Sequence, residues 1–349
     1  MVMMIRLCEP FEMDITECFG NAHHQDVDEC HLLVLYILVK GWSSCVSMEG
    51  WIALTRTPNL LISKPTRVTF RNKNYVVWKS DSCGTQIMPD ACCHRGASLS
   101  RGKVERDGSL TCGYHGWNFK CNRLKQPWIE NEEFISPEFD TCEQDGLLWV
   151  RPRGLIGDHT PPQVPYQNNP SFNTAWFETE IKQCAQLIIE NGIDPAHASW
   201  VHANGLGFGT ENEEPTDVVH SGNAISFGYI PNKNALSTSL FGISQTKNFH
   251  VFELPYTTWS EVILESGKKL MTYVTLCPIS DTKTKMFVAF ANNLGVPSDI
   301  FVMMGKEIVN QDRYILENQD ASFANKGISG KYDQLSLAYR NALQNLTFK

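Results

Sequence analysis

The chain has 349 residues, 42% of them hydrophobic and 19% charged, a composition that folds around a core and excludes a disordered or collagen-like chain. Acidic residues outnumber basic ones by 38 to 30, for a formal net charge of −8, so nothing offers the basic face that a nucleic-acid backbone calls for. The 12 cysteines are too sparse for a small disulfide scaffold and fit buried thiols plus a few metal ligands.

The first 47 residues carry four cysteines and the pair His23-His24, with little periodic pattern. Their apolar run, Leu32 to Val39, is eight residues long. That is short of the roughly 18 that a membrane span needs. It also follows Asp26, Asp28 and Glu29 rather than a basic segment, so neither a secretory signal nor an integral membrane segment is expected. Residues 1–50 read as an N-terminal extension, or as sequence ahead of a true start at Met48. A soluble, cytoplasmic protein is expected, with plastid import left open.

Residues 51–155 read as a small all-β domain. Arg67–Phe70, a polar turn over 71–74 and Tyr75–Trp78 form a strand, turn and strand, and further strands are expected at Ser109–Cys112 and Gly146–Val150. Pro152, Gly154, Gly157, Pro161, Pro162 and Pro165 then mark a domain boundary. Residues 156–349 read as an α+β domain. It has a helix from Ala185 to about Ala203 and strands near 224–230, 248–254, 270–276 and 286–291. A long helix runs from about Pro297 to Phe323, with Ser298 or Asp299 as its N-cap.

Chemistry concentrates first in Cys92-Cys93-His94-Arg95-Gly96 and Cys112-Gly113-Tyr114-His115-Gly116-Trp117. Reduced to ligand types this is Cys-x-His, 17 residues, then Cys-x2-His. Two thiolates and two imidazoles on two short loops can hold one zinc ion or one small cluster. Zinc fingers usually pair like with like, whereas each loop here mixes one Cys with one His. The glycines let backbone N–H groups approach inorganic sulfide.

The second constellation is Asn191, Asp194, His197 and His202. Asp194 and His197 are three apart and share a helix face. His197 and His202 are five apart, about 140° in direction at about 100° per residue, so they meet at one metal only if the helix ends or unwinds between them. A zinc-protease motif needs four-residue spacing and a glutamate, and Ala198 stands there instead. Two lone histidines on a helix are more often structural than ligands. On the long helix, Phe301, Met304, Ile308, Ile315 and Leu316 make an apolar stripe with Asp312 near its middle and Glu317 on the other side. A carboxylate on a buried face needs a cation, either a metal or an arginine.

The two boxes together resemble the Rieske non-haem iron oxygenases, in their terminal oxygenase (α-subunit) component of the type without a β-subunit. The resemblance covers residues 51 to 325 in the family's order. It implies a Rieske [2Fe-2S] domain followed by a helix-grip (START-like) catalytic domain, an antiparallel sheet wrapped on a long C-terminal helix. Cys92 and Cys112 would bind the inner iron of the cluster and His94 and His115 the outer one. His197, His202 and Asp312 would bind a mononuclear Fe(II) as a two-His, one-carboxylate triad, with Asn191 beside them. Asp194 would bridge His197 to His115 of the next chain in a homotrimer, unless it is only a helix cap before Pro195.

Ala97 and Tyr114 stand where Rieske proteins of the cytochrome complexes carry cross-linking cysteines, which implies the low-potential variety. Cys93, Cys83 and Cys121 read as packing thiols. Implied partners are a ferredoxin or an NAD(P)H-dependent reductase, O2 and a small organic substrate, with Leu206 and Phe208 among the pocket walls. The other reading is a Rieske electron-transfer protein that lacks catalytic iron, for which the His197, His202, Asp312 set has no use.

Overall fold

The structure, a computed structural model, describes residues 50–154, 160–194, 196–202, 218–221, 224–229, 245–330 and 333–347. The extension before residue 50 and the expected pocket residues Leu206 and Phe208 lie outside the described residues.

The N-terminal part is built only from strands, apart from two single turns of 3-10 helix. β1 (Ile52–Arg56), β11 (Leu147–Pro152) and β10 (Phe139–Gln144) form one antiparallel sheet, and β2 (Thr66–Phe70), β3 (Lys73–Ser80) and β4 (Gly84–Pro89) form a second. The third sheet runs in chain order through β5 (Lys103–Val104), β6 (Leu110–Thr111), β7 (Asn118–Lys120), β8 (Arg123–Lys125) and β9 (Glu132–Phe134). Strand β3 separates two cores by its period of two. Tyr75 and Val77 pack into the main core with Trp149 and Phe139. Val76 and Trp78 face the opposite way, into a small core with Cys92, Cys112, Leu110 and Phe119.

The β2–β3 turn is tighter than the polar run 71–74 implies. Arg71 and Asn72 alone form it, both in the left-handed region at φ 47° and 62°, the geometry of a two-residue hairpin turn. Their backbone N–H groups donate to the carbonyls of Pro278 and Ile279, at 2.9 and 2.8 Å, which ties this domain to the sheet that follows. Cys83 and Cys121, read from sequence as separate packing thiols, are joined as a disulfide with Cα atoms 5.6 Å apart. They sit in the turns after β3 and β7, which only the folding of one sheet onto the other brings together.

The C-terminal part is a seven-stranded antiparallel sheet in the order β12-β18-β17-β16-β15-β14-β13. Its strands are β12 (Asn173–Ile181), β13 (Val219–Ser221), β14 (Ala224–Tyr229), β15 (Gln245–Glu253), β16 (Thr257–Leu264), β17 (Lys269–Ser280) and β18 (Lys283–Asn292). Val164 from the preceding segment packs on Met271, Tyr273, Ala289 and Ala291 on one face, with Tyr166 and Phe172 alongside. Helices α1 (Ala185–Ile193), α2 (His197–Val201), α3 (Ser298–Leu316) and α4 (Gln334–Thr347) complete the C-terminal part, and buried residues of α1, α3 and α4 join the main core with Phe252, Phe287 and Phe290.

The single helix expected from 185 to 203 is two helices. Asp194 ends α1 in an extended conformation, φ −86° and ψ 109°. Pro195 follows it, and the residue before a proline is pushed out of the helical region. Helix α3 ends at Leu316 rather than Phe323, and its N-cap is Pro297, with Asp299 in the first turn. Its buried residues are Phe301, Gly305, Val309 and Leu316; Ile315, assigned to the stripe from sequence, is 44% exposed.

Candidate metal centres

The two Cys/His loops have the same backbone design. In the first, the N–H of Cys92 donates to the carbonyl of Ala97 at 2.8 Å and the N–H of Gly96 returns to the carbonyl of Cys92 at 2.7 Å. In the second, Cys112 N–H donates to Trp117 at 2.8 Å and Gly116 N–H to Cys112 at 3.1 Å. Each loop closes on a glycine in the left-handed region, Gly96 at φ 69° and Gly116 at φ 73°, where a side chain is strained.

This places Cys92 and Cys112 buried at the base and His115 exposed at the rim. The rings of His94 and His115 lie 4.6 Å apart, and His94 stacks on Trp117 at 4.7 Å with an interplanar angle of 1°. Burial, with Cys112 and Cys93 close by, pushes the Cys92 thiol up to about 11. A thiolate there needs a cation beside it. Burial, reinforced by His115 and Arg95, lowers the pKa of His94, and its Nδ1 is buried with no hydrogen-bond partner. Two buried thiols and a buried ring nitrogen without a hydrogen-bond partner make a donor set that suits a cluster iron.

The second centre forms where α2 ends against α3. His202 is the C-cap of α2, at φ −105° and ψ 11°, so the helix stops between the two histidines as their spacing demands. His197 Nε2 and His202 Nε2 lie 3.5 and 3.2 Å from the same oxygen of Asp312. Asn191 Nδ2 donates to that oxygen at 3.5 Å. Asp312 is not paired with its neighbour Arg313, whose guanidinium donates to Thr179 and Asn310 instead.

Among the described residues, only His197, His202 and Asp312 bring three such ligand atoms within 4.8 Å of one another. The Cys92, His94, Cys112, His115 set is spread more widely, which suits a two-iron cluster rather than one zinc ion. His202 is 6% exposed. Burial pulls its pKa down, but the hydrogen bonds to Asp312 and Gln311 and the Asp312 charge outweigh that, and the net shift is upward.

Two protein families match the chain, in the order of its two parts. The Rieske [2Fe-2S] domain family matches residues 50–129, and the vanillate O-demethylase oxygenase C-terminal domain family matches residues 181–347. The chain belongs to the VanA-like Rieske non-haem iron oxygenase α-subunits. The vanillate O-demethylase oxygenase subunit of a Pseudomonas sp. (strain HR199) is 30% identical over 225 residues, 60% of this chain and 63% of that protein. The chloroplastic pheophorbide a oxygenase of Oryza sativa subsp. japonica is 31% identical over 172 residues, 44% of this chain and only 32% of that protein. Dicamba monooxygenase bound to dicamba shares the fold with a TM-score of 0.74 at 17% identity, over 87% of this chain and 98% of that one. No helix among the described residues is long and apolar enough to cross a membrane.

The atoms around Asp194 differ from the sequence expectation. The Nδ1–H of His197 donates to the backbone carbonyl of Asp194, not to its carboxylate. The carboxylate accepts from Ala196 N–H at 2.8 Å, and burial raises its pKa. His250 on β15 was not foreseen at all. Burial, with His197 nearby, lowers its pKa to about 4, so it is neutral at pH 7.

Asp90 was also missed. Its side chain is fully buried and accepts from Arg67 Nε at 2.6 Å, Ser98 Oγ at 2.9 Å, Ser100 N–H at 2.6 Å and Ser100 Oγ at 2.8 Å. These bonds bracket the first cluster loop on both sides. Asp90→Asn is expected to lower stability by about 2–3 kcal/mol, since buried donors are left facing an amide. A thermal unfolding midpoint and the sulfide content of the purified variant check this, and both should fall together.

Proposed function

We propose that the chain is a terminal oxygenase. It would take electrons through a [2Fe-2S] cluster on Cys92, His94, Cys112 and His115 and use O2 at an iron held by His197, His202 and Asp312. The convergence of those last three side chains within 4.8 Å carries the reading, because an electron carrier has no use for it. When bound, the cluster supplies single electrons and the mononuclear iron supplies oxygen activation.

The chain's own residues do the rest. His197 and His202 each direct Nδ1 at an oxygen acceptor, which would leave the Nε2 of each, turned toward Asp312, for the metal. Asp312 closes the set from the facing helix, and a two-His, one-carboxylate set leaves positions free for small molecules. Asn191 restrains the Asp312 oxygen that faces both rings. Exposed His115 is free to meet the carboxylate of Asp194 in a neighbouring copy of a homotrimer, which is how electrons would pass from one chain's cluster to the next chain's iron.

The relatives are named for vanillate, pheophorbide a and dicamba. The substrate class we take from them is a small cyclic or aromatic organic molecule, hydroxylated or oxidatively demethylated. Two electrons from a ferredoxin or an NAD(P)H-dependent reductase balance the reaction. One oxygen atom enters the substrate and the other leaves as water, or both enter in a dihydroxylation.

Oxygen uptake with a reductase and a panel of aryl methyl ethers and hydroxylatable rings tests this, with product identified by mass. Asp194→Ala should retain both centres and a reducible cluster yet yield product at a rate lower by about tenfold or more, the scale of losing a positioned hydrogen-bonding link. Product formation at the wild-type rate would remove Asp194 from the electron path.

A further inference from the structure

A histidine that binds a metal through Nε2 must keep its proton on Nδ1, and something must accept that proton. For His197 the acceptor is a backbone carbonyl, that of Asp194, which no substitution removes. For His202 the acceptor is a side chain, Gln311, whose Oε1 lies 2.8 Å from His202 Nδ1. This makes His202 the more vulnerable of the two.

A glutamine has two ends, and only one of them suits this task. If Gln311 turned its NH2 to the ring, His202 Nδ1 would have to be the bare nitrogen, and Nε2 would carry the proton toward Asp312. In that tautomer Nε2, the nitrogen that faces Asp312, has no lone pair to offer a cation. Glu307 settles the choice. It sits one turn earlier on α3, and its carboxylate accepts from Gln311 Nε2 at 3.4 Å. A carboxylate only accepts, so the NH2 end of Gln311 is drawn toward Glu307 and the oxygen end toward His202. The next residue along the helix is Asp312 itself, so one turn of α3 delivers both the carboxylate and the group that orients its histidine partner.

We propose that Gln311, aligned by Glu307, is the positioning residue that fixes the tautomer and ring orientation of His202 for metal binding. This rests on the reading of His197, His202 and Asp312 as a metal site. Gln311 is half-buried whereas Glu307 is exposed, so the glutamine carries most of the effect and the glutamate a small share.

The test uses Co(II) as the probe. The cluster-containing protein is stripped of mononuclear iron with a mild chelator, its cluster kept oxidised, and Co(II) affinity and the hyperfine-shifted imidazole N–H resonances are measured. Wild type should bind one Co(II) with two such N–H signals. Gln311→Leu, similar in size but with no acceptor, should weaken binding by about 10–100-fold and lose the His202 signal to solvent exchange. Gln311→Glu keeps an acceptor and should restore the signal and most of the affinity. Glu307→Gln should cost no more than about fivefold, as for an exposed charged contact. The metal-free variants should unfold at the wild-type temperature.

Wild-type affinity in Gln311→Leu overturns the proposal. So does a loss in Gln311→Leu that Gln311→Glu fails to recover, since that marks a packing role. A wild type that binds no Co(II) instead removes the metal reading of the triad, and this inference falls with it.

Discussion

Asp312→Ala is expected to abolish substrate-dependent oxygen uptake while leaving the [2Fe-2S] cluster in place. The carboxylate is the one group that both histidines face, at 3.5 and 3.2 Å, and no other carboxylate among the described residues joins their group. Its removal leaves the two imidazoles alone, and a two-nitrogen site retains a divalent iron poorly. Cys92 and Cys112 sit in a separate small core, so the visible spectrum should not change. Iron should drop from about three to about two per chain, with about two sulfides retained. Full iron and full uptake in this variant would end the assignment of Asp312. Glu317→Ala, the other carboxylate at that end of α3, should keep its iron. Its Oε1 accepts from Lys182 N–H at 3.0 Å and faces away from the triad.

The second large effect is expected at Gly305. Two effects of a side chain there oppose each other. Replacing a helical glycine by alanine gains about 1 kcal/mol of intrinsic propensity. A Cβ built at this position, however, would lie 2.2 and 2.3 Å from Phe290 Cε2 and Cζ. An aromatic ring packed between α3 and the sheet does not yield like the tip of a flexible side chain, so sterics win. Gly305→Val should cost about 3 kcal/mol or more, the upper end of overpacking penalties. It should also loosen α3 from β18, which moves Asp312, two turns further along the helix. Loss of mononuclear iron should therefore accompany the lowered thermal midpoint. Phe290→Ala alone should cost about 3–5 kcal/mol through its cavity. Combined with Gly305→Val it should cost less than the sum, because the added methyls occupy the vacated space. Additive costs in the double variant would place the strain elsewhere.

The two Cys/His loops were legible in sequence because their pattern is local. Each loop holds a Cys and a His within four residues, and the same loop closes its own hydrogen bonds. The triad was legible only in part. The five-residue spacing of His197 and His202 demanded a helix end, and the structure supplies it at Val201. The break before His197 is equally local, since Pro195 follows Asp194, yet a continuous apolar pattern obscured it. Asp312 was placed on the correct face of α3 by periodicity even though one supporting residue, Ile315, faces solvent. The stripe that packs on the sheet includes Gly305, which has no hydropathy to reveal it.

Strands β12 and β16 went unseen because their burial does not alternate. Thr257, Thr258 and Glu261 are buried polar residues held by neighbouring strands. What depended on tertiary contact was not legible at all. The Cys83–Cys121 pairing spans 38 residues, the Asp90 hub gathers Arg67 and two serines, and the Gln311 amide acquires a meaning only when His202 arrives 2.8 Å away.

Whether one chain holds a Rieske cluster and a separate mononuclear iron is tested most directly by iron, zinc and acid-labile sulfide in the anaerobically purified wild-type protein. About three irons and two sulfides per chain, with no zinc, are predicted from the two ligand sets. Two irons and two sulfides would leave an electron carrier without a catalytic centre, and zinc without sulfide would contradict both sites.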